Sequence, residues 1–112
     1  MANWYWDYEQ GSENNSGDSF AVDLTGADFI STGTTTITKA TGGLTGLAGR
    51  KIFFVGLGGR HINSVESDIS MTVNATVASN TYTANVGGRR ATLANFTTTN
   101  CQGIAAGDTI RC

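Results

Sequence analysis

The chain has 112 residues, a length that predicts one small domain, with 15 glycines, no proline and 14% charged residues. Its polar residues are mostly Thr, Asn and Ser, which favour strands and turns over solvated helices, so the composition excludes a mainly helical fold. The net charge of −2 and a mildly basic second part argue against direct nucleic-acid binding.

Residues 1–19 are predicted to form an extended N-terminal arm. The arm opens with Trp4, Tyr5, Trp6 and Tyr8 and ends in the polar stretch EQGSENNSGDS. The first 28 residues contain six acids and no base, whereas residues 29–112 contain seven bases and three acids, a net charge of +4. The plainer interpretation is a solvated acidic loop. The alternative is that the arm docks on a basic surface, with its aromatic residues anchored on this chain's body or on a neighbouring copy.

Residues 20–112 are predicted to form a single β domain. In ISMTVNATV, the apolar residues at 69, 71, 73, 75 and 77 alternate with polar ones, which is typical of a strand with one buried face. Pairing by this alternation gives a four-residue loop over 78–81 and a two-residue turn at Gly87-Gly88, and thus a three-stranded antiparallel meander over 69–95. Shorter strands are expected at Phe20–Leu24, Thr34–Ala40 and Ile52–Val55, with a glycine-rich loop over 41–49 and at most a helical turn near 25–30. The fold class is therefore all-β, a small antiparallel sandwich or barrel.

The stretch FFVGLGGRH, residues 53–61, looks like the start of a phosphate-binding loop. It lacks the third glycine of a dinucleotide fingerprint and the Gly-Lys-Ser/Thr end of a P-loop, and no helix is expected after it. We interpret it as the end of a buried strand followed by a tight reversal. Arg60 and His61 are then expected at an exposed tip that contacts another subunit.

The remaining reactive residues form no recognisable catalytic or metal-binding pattern. His61 is the only histidine and no nucleophile elbow surrounds the nearby serines. Cys101 and Cys112 are predicted to be free thiols. The acidic arm does not match an EF-hand loop, although its side-chain oxygens leave a calcium site as an alternative. The sequence therefore predicts no enzyme, no cofactor and no metal site.

Two segments of the chain resemble parts of known proteins. NWYWDYEQGSENNSGDSFA, residues 3–21, resembles an opening found in phage virion structural proteins and β-helical surface proteins, and GIAAGDTIR, residues 103–111, resembles the AGDTI strand start of the same proteins. In those proteins the chain continues past the second motif and the two motifs lie closer together. Residues 24–95 therefore look like an inserted β module, in either a reduced relative or an N-terminal fragment.

The resemblance implies a virion structural role and no catalytic residues. The size best fits a capsid decoration (cement) protein, often trimeric in that class, which binds the major capsid protein or other virion proteins. The expected location is the virion, assembled in the host cytoplasm, with no membrane segment because the longest apolar run is four residues. The alternatives are a tail or fibre component, and a carbohydrate-binding or adhesin module using Trp4, Trp6 and Tyr82. The residues predicted to form interfaces are Trp4, Tyr5, Trp6, Tyr8, Arg60, His61, Arg89 and Arg90.

Overall fold

The computed structural model describes residues 2–112 and is all-β, with 43% of the residues in strands and 3% in helix. The elements in chain order are β1 (Asn3–Tyr5), β2 (Val22–Ser31), β3 (Thr36–Lys39), β4 (Lys51–Phe54), β5 (Gly58–Ser67), β6 (Ser70–Val73), β7 (Asn80–Gly87), a 3-10 turn (Leu93–Asn95) and β8 (Thr109–Arg111). The all-β prediction is confirmed, and of the two predicted architectures the chain adopts the barrel.

Six strands close into an antiparallel barrel in the order β2-β3-β6-β5-β4-β7, with β7 returning to β2. Closure leaves these six strands without a free edge for unwanted pairing. The two ends of the chain form a separate parallel pair, in which β1 lies beside β8 with Trp4 opposite Ile110. Residues 2–19 therefore fold back on the molecule instead of extending away from it.

Inward-facing side chains from every barrel strand fill the interior. The ring of Phe54 lies at the centre, edge-on to Phe29 at a centroid distance of 6.3 Å and to Tyr82 at 5.4 Å. The Tyr82 hydroxyl donates to the Ala78 carbonyl at 2.8 Å, so its polar end is satisfied at the edge of the core. The other core residues are Ile37, Leu44, Leu47, Ile52, Ile62, Met71, Val73, Val77, Ala84 and Val86.

The predicted meander over 69–95 is wrong, although the buried faces of its strands were predicted correctly. Met71 and Val73 point inward, as do Tyr82, Ala84 and Val86. However, β6 pairs with β3 and β5, while β7 pairs with β4 and β2. Alternation of apolar and polar residues determines which side of a strand is buried. It does not determine which of several strands with the same alternation becomes the pairing partner. Residues 25–30 lie in β2, so the helical turn considered there does not form.

Gly87 and Gly88 end β7 without starting a hairpin. Both have positive φ, +87° and +88°, as a hairpin turn would need. Their peptide groups instead bind the arm: the Gly87 N–H donates to Ser16 Oγ at 2.8 Å, and the Gly88 carbonyl accepts from the Gly17 N–H at 2.9 Å. Side chains at these positions would overlap the arm, because a Cβ on Gly88 would lie 2.6 Å from the Asn15 side chain.

The glycine cluster at 56–59 makes the tight reversal between β4 and β5 that the sequence predicts. It also has a function that the sequence does not reveal. The C-terminal segment crosses the outside of this hairpin, and the Gly59 N–H donates to the Thr99 carbonyl at 2.8 Å. A Cβ on Gly59 would overlap the Asn100 carbonyl oxygen, whereas one on Gly56 would meet nothing within 4 Å. Gly59 is therefore required for close backbone approach.

We predict that Gly59→Ala lowers the free energy of unfolding by about 2 kcal/mol, because the new methyl group must displace the crossing segment. The same displacement should expose Cys101, which belongs to the crossing segment and is buried, with its backbone nitrogen 3.4 Å from the position of that methyl group. In a Cys112→Ser background, Gly59→Ala should speed the reaction of Cys101 with a thiol reagent. Gly56→Ala is the matched control, since its methyl group strains only the local φ of +85°. Equal Cys101 reactivity in the two variants would contradict this packing.

Candidate functional site

Arg90 fastens the arm to the barrel. Only 1% of its surface is exposed. Its Nη1 donates to the Asn15 carbonyl at 2.6 Å, and its Nη2 binds Glu13 Oε2 at 2.8 Å. The guanidinium carbon lies 4.7 Å from the ring centroid of Phe53, whose side chain faces outward from β4. Arg90 thus covers the outside of the barrel with charged and aromatic contacts that offset part of the cost of its own burial, although its buried Nε has no hydrogen-bond partner among residues 2–112.

The backbone of Arg90 reinforces the same attachment. Its N–H donates to the Tyr5 carbonyl and its carbonyl accepts from the Asp7 N–H, both at 3.0 Å. Burial opposes ionisation of Glu13, but hydrogen bonds from Asn95 and Thr92, together with the charge of Arg90, hold the pKa of that carboxyl below its usual value. Glu13 is therefore a carboxylate at neutral pH.

Two of the three remaining acids of the arm also pair with bases of the body. Asp7 lies 3.4 Å from Arg89, and Asp18 lies 3.0 Å from Arg50, which also binds Asp23 at 2.7 Å. The docked alternative is therefore correct, with this chain's own body as the surface, and the solvated-loop interpretation is wrong. The opposite charges of arm and body compensate each other within one molecule.

The chain termini are joined by Trp4 and Asp108. Trp4 is 1% exposed, and its Nε1–H donates to Asp108 Oδ2 at 3.0 Å. Asp108 Oδ1 accepts the Ala2 N–H and Asp108 Oδ2 accepts the Ala105 N–H, each at 3.0 Å. The Trp4 hydrogen bond, followed by those from Ala2 and Ala105, lowers the pKa of Asp108. Anchoring of the arm on the body, one of the two predicted alternatives, is confirmed for Trp4.

Several predicted interface residues occupy positions that differ from the expectation. Trp4 and Arg90 are buried within their own chain and present no surface to another protein. Arg60 and His61 do not form an exposed tip. They lie half-buried within β5, where Arg60 donates to the Gly59 and Thr76 carbonyls at 2.8 and 3.0 Å. The reversal is completed before residue 60, so these side chains belong to the strand.

The aromatic residues proposed for sugar stacking are not brought together. Tyr82 belongs to the barrel core and Trp4 to the arm attachment. Trp6 is half-buried, and its Nε1–H donates to the Ala91 carbonyl at 3.0 Å. Trp4 and Tyr82 therefore offer no exposed ring face to a sugar.

One exposed surface does combine aromatic and arginine side chains. The rings of Tyr5 and Phe20 contact each other in a tilted arrangement with a centroid distance of 4.4 Å, and the Arg89 guanidinium carbon lies 5.9 Å from the Phe20 ring centroid. Phe20, Ala21 and Val22 are consecutive and all exposed, with Phe20 at 54%. We call these five residues the aromatic patch. Tyr8, also in the arm, is 71% exposed, and its ring centroid lies 6.1 Å from that of Trp6.

Sequence reasoning identified Tyr5 and Arg89 but missed Phe20, Ala21 and Val22. The available signal was their succession, because a strand of period two cannot bury three neighbouring apolar residues on one face. A run of exposed apolar residues is unfavourable in water unless it serves an interaction.

Lys51 and His61 are opposite each other in the β4–β5 pair, and their side chains meet at 3.1 Å between Nζ and Nδ1. Desolvation, with the charge of Lys51 as a second cause, lowers the pKa of His61 from 6.5. Desolvation also lowers the pKa of Lys51, against the attraction of Asp18, Asp108 and Cys101. Burial raises the pKa of the Cys101 thiol to about 11, and Cys101 and Cys112 are both free, as predicted.

Within residues 2–112 there is no ligand-sized cavity and no cluster of three or more metal-binding side chains. Over the same residues, no helix is long and apolar enough to cross a membrane. No protein family, curated protein or solved structure matches the chain.

We predict that Arg90→Met lowers the free energy of unfolding by about 3 kcal/mol, because it leaves Glu13 without its buried partner. Arg89→Met, at the adjacent and more exposed pair with Asp7, should cost a small fraction of that. Urea unfolding followed by tryptophan fluorescence measures both. Equal losses in the two variants would show that Arg90 has no special role.

Stability should fall as the pH drops from about 7 towards 5.5. A histidine whose pKa is lowered in the folded state binds fewer protons there than in the unfolded state. Its contribution to the free energy of unfolding is therefore fully present at a pH above the unfolded pKa of 6.5 and declines as the pH falls below that value. The carboxylates with resolved shifts all have lowered pKa values and titrate below this window. His61→Gln should flatten the decline in urea midpoints between pH 7 and 5.5. An unchanged decline would rule out His61 as its source.

Proposed function

We propose that this chain is a structural protein of a phage particle, most simply a capsid decoration protein that bridges and stabilises shell proteins by burying an interface. The observation that carries the proposal is the aromatic patch. Tyrosine, phenylalanine and arginine are the residue types that concentrate in the buried centres of protein interfaces. An exposed apolar run lowers the solubility of a protein. Burial of the run in an interface with another protein would explain why the chain has it.

The electrostatics of the chain support a role in packing against other proteins. Five of the six acids among the first 28 residues are paired with a base of the same chain. A surface whose charges are already compensated can dock without stripping water from many unpaired ions. This favours attachment through apolar and aromatic contacts over attraction by net charge.

The spatial arrangement of the two resembling segments also supports the proposal. Residues 3–21 supply β1 and residues 103–111 supply β8, and these strands pair with each other. The barrel, from β2 to β7, occupies residues 22–87 between them. The segments that resemble virion proteins therefore form one unit, with the barrel inserted into it.

The proposed partners are the major capsid protein or another virion protein, with self-association as a homo-oligomer, a trimer being favoured. The proposed location is the virion, after assembly in the host cytoplasm. A tail or fibre component is the second candidate, since the same patch would serve there. The carbohydrate-binding alternative is weaker, because Trp4 and Tyr82 are buried.

We predict that Phe20→Glu abolishes or strongly weakens binding to pre-formed empty capsids of the phage that encodes the chain, because it places a carboxylate at the centre of the aromatic patch. Ile69→Glu is the matched control: Ile69 is similarly exposed, at 51%, but lies in the turn between β5 and β6. Co-sedimentation measures the bound stoichiometry, and thermal unfolding checks that both variants are folded. A monomeric wild-type chain that ignores capsids, yet changes its tryptophan fluorescence with a particular sugar, would overturn the structural proposal.

A further inference from the structure

The chain has only two lysines, and their environments differ sharply. Lys39 is buried, 5% exposed, and fully partnered. Its Nζ lies 3.3 Å from Asp28 Oδ1, binds Thr41 Oγ1 at 2.6 Å and the Gly42 carbonyl at 3.1 Å. The carboxylate and the two further acceptors occupy the three N–H donors of the Lys39 ammonium, and burial closes it off from solvent.

Lys51 has no such partner. Its ammonium meets His61 Nδ1 at 3.1 Å, and no carboxylate within residues 2–112 lies within 4 Å of it. The two nearest acids are already engaged. Asp18 binds the Arg50 guanidinium and the backbone N–H of Lys51, and Asp108 accepts hydrogen bonds from Trp4 and the backbone. These carboxylates attract Lys51 only from a distance.

The surroundings of Lys51 remove water from one side of the amine and leave the other side open. A Cβ on Gly103 would lie 3.2 Å from Nζ, so the C-terminal segment closes one side. The side chain as a whole is only half-buried, which leaves access for a small molecule. A desolvated lysine beside a histidine, without a carboxylate, is the arrangement in which a neutral and therefore nucleophilic amine becomes available.

We propose that Lys51 is an acyl-acceptor site, modified by small acyl thioesters with His61 as the proton acceptor. The ammonium first loses a proton to solvent. The nitrogen lone pair then attacks the acyl carbon, a C–N bond forms and the C–S bond breaks. The remaining excess proton on nitrogen passes to His61 Nδ1 and from there to the leaving thiolate. The net reaction converts ammonium and thioester to amide, thiol and one released proton, with no oxidation or reduction.

Acylation would also change the neighbouring histidine. It removes the positive charge that helps to hold the pKa of His61 down. The acylated protein should therefore lose less stability than the unmodified protein between pH 7 and 5.5. This consequence is independent of any role in a virion, because it depends only on the β4–β5 pair.

The test uses the full native chain and S-acetyl-N-acetylcysteamine, a small acetyl thioester, at pH 8. The remaining amines are then acetylated with a heavy-isotope reagent in urea, and the peptides are analysed by mass spectrometry. Lys51 should react about tenfold faster than Lys39 and faster than the same lysine in the unfolded chain. His61→Gln should lower the Lys51 rate several-fold while leaving Lys39 unchanged.

The pH dependence of the wild-type rate provides a test that needs no variant. The rate at Lys51 should level off at a lower pH in the native chain than in the unfolded chain. The proposal is overturned if native Lys51 reacts no faster than unfolded Lys51. It is equally overturned if His61→Gln, shown to be folded by circular dichroism, leaves the Lys51 rate unchanged.

Discussion

The burial of Arg90 is the constraint on which the rest of the structure depends. Taking a guanidinium out of water is costly unless the site supplies good partners, and here the arm supplies them through Glu13 and the Asn15 carbonyl. The barrel supplies the outward face of Phe53. Without the arm, that ring and Arg90 would lie open on the side of the barrel. The arm is therefore an integral layer of the domain, although its composition resembles that of a solvated tail.

This attachment determines which surface the molecule presents to its surroundings. The arm brings its carboxylates to the bases of the body, so charge is compensated locally, and β1 comes to lie beside β8. The closed barrel has no strand edge to offer. Tyr5 and the run Phe20–Val22 remain outside with Arg89, as the aromatic patch on which the proposed docking to other virion proteins rests. Among residues 2–112, two half-buried lysine and arginine side chains have no carboxylate within 4 Å. They are Lys51 and Arg60, on the neighbouring strands β4 and β5.

Period-two patterning predicted the all-β class and the buried faces of β6 and β7, because each depends on local sequence. It did not predict the pairing of the strands. β6 pairs with β3 and β5, and alternation alone does not distinguish these partners from β7. Gly87-Gly88 has the sequence of a hairpin turn, yet its positive φ values serve contacts with the arm. Arg89 and Arg90 look equivalent in the sequence. Arg89 is half-buried and Arg90 fully buried only because the arm, more than seventy residues away in the chain, lies across Arg90.

Docking of the arm on its own barrel is tested most directly by the shielding of the Trp4 side chain from solvent. In a Trp6→Phe variant, Trp4 is the only tryptophan, so acrylamide quenching reports on that side chain alone. If the arm is docked within the chain, quenching should stay weak as the protein is diluted to a monomer, as judged by sedimentation. If Trp4 instead becomes strongly quenched on dilution, the arm is held by a neighbouring copy and Arg90 does not fasten it to its own barrel.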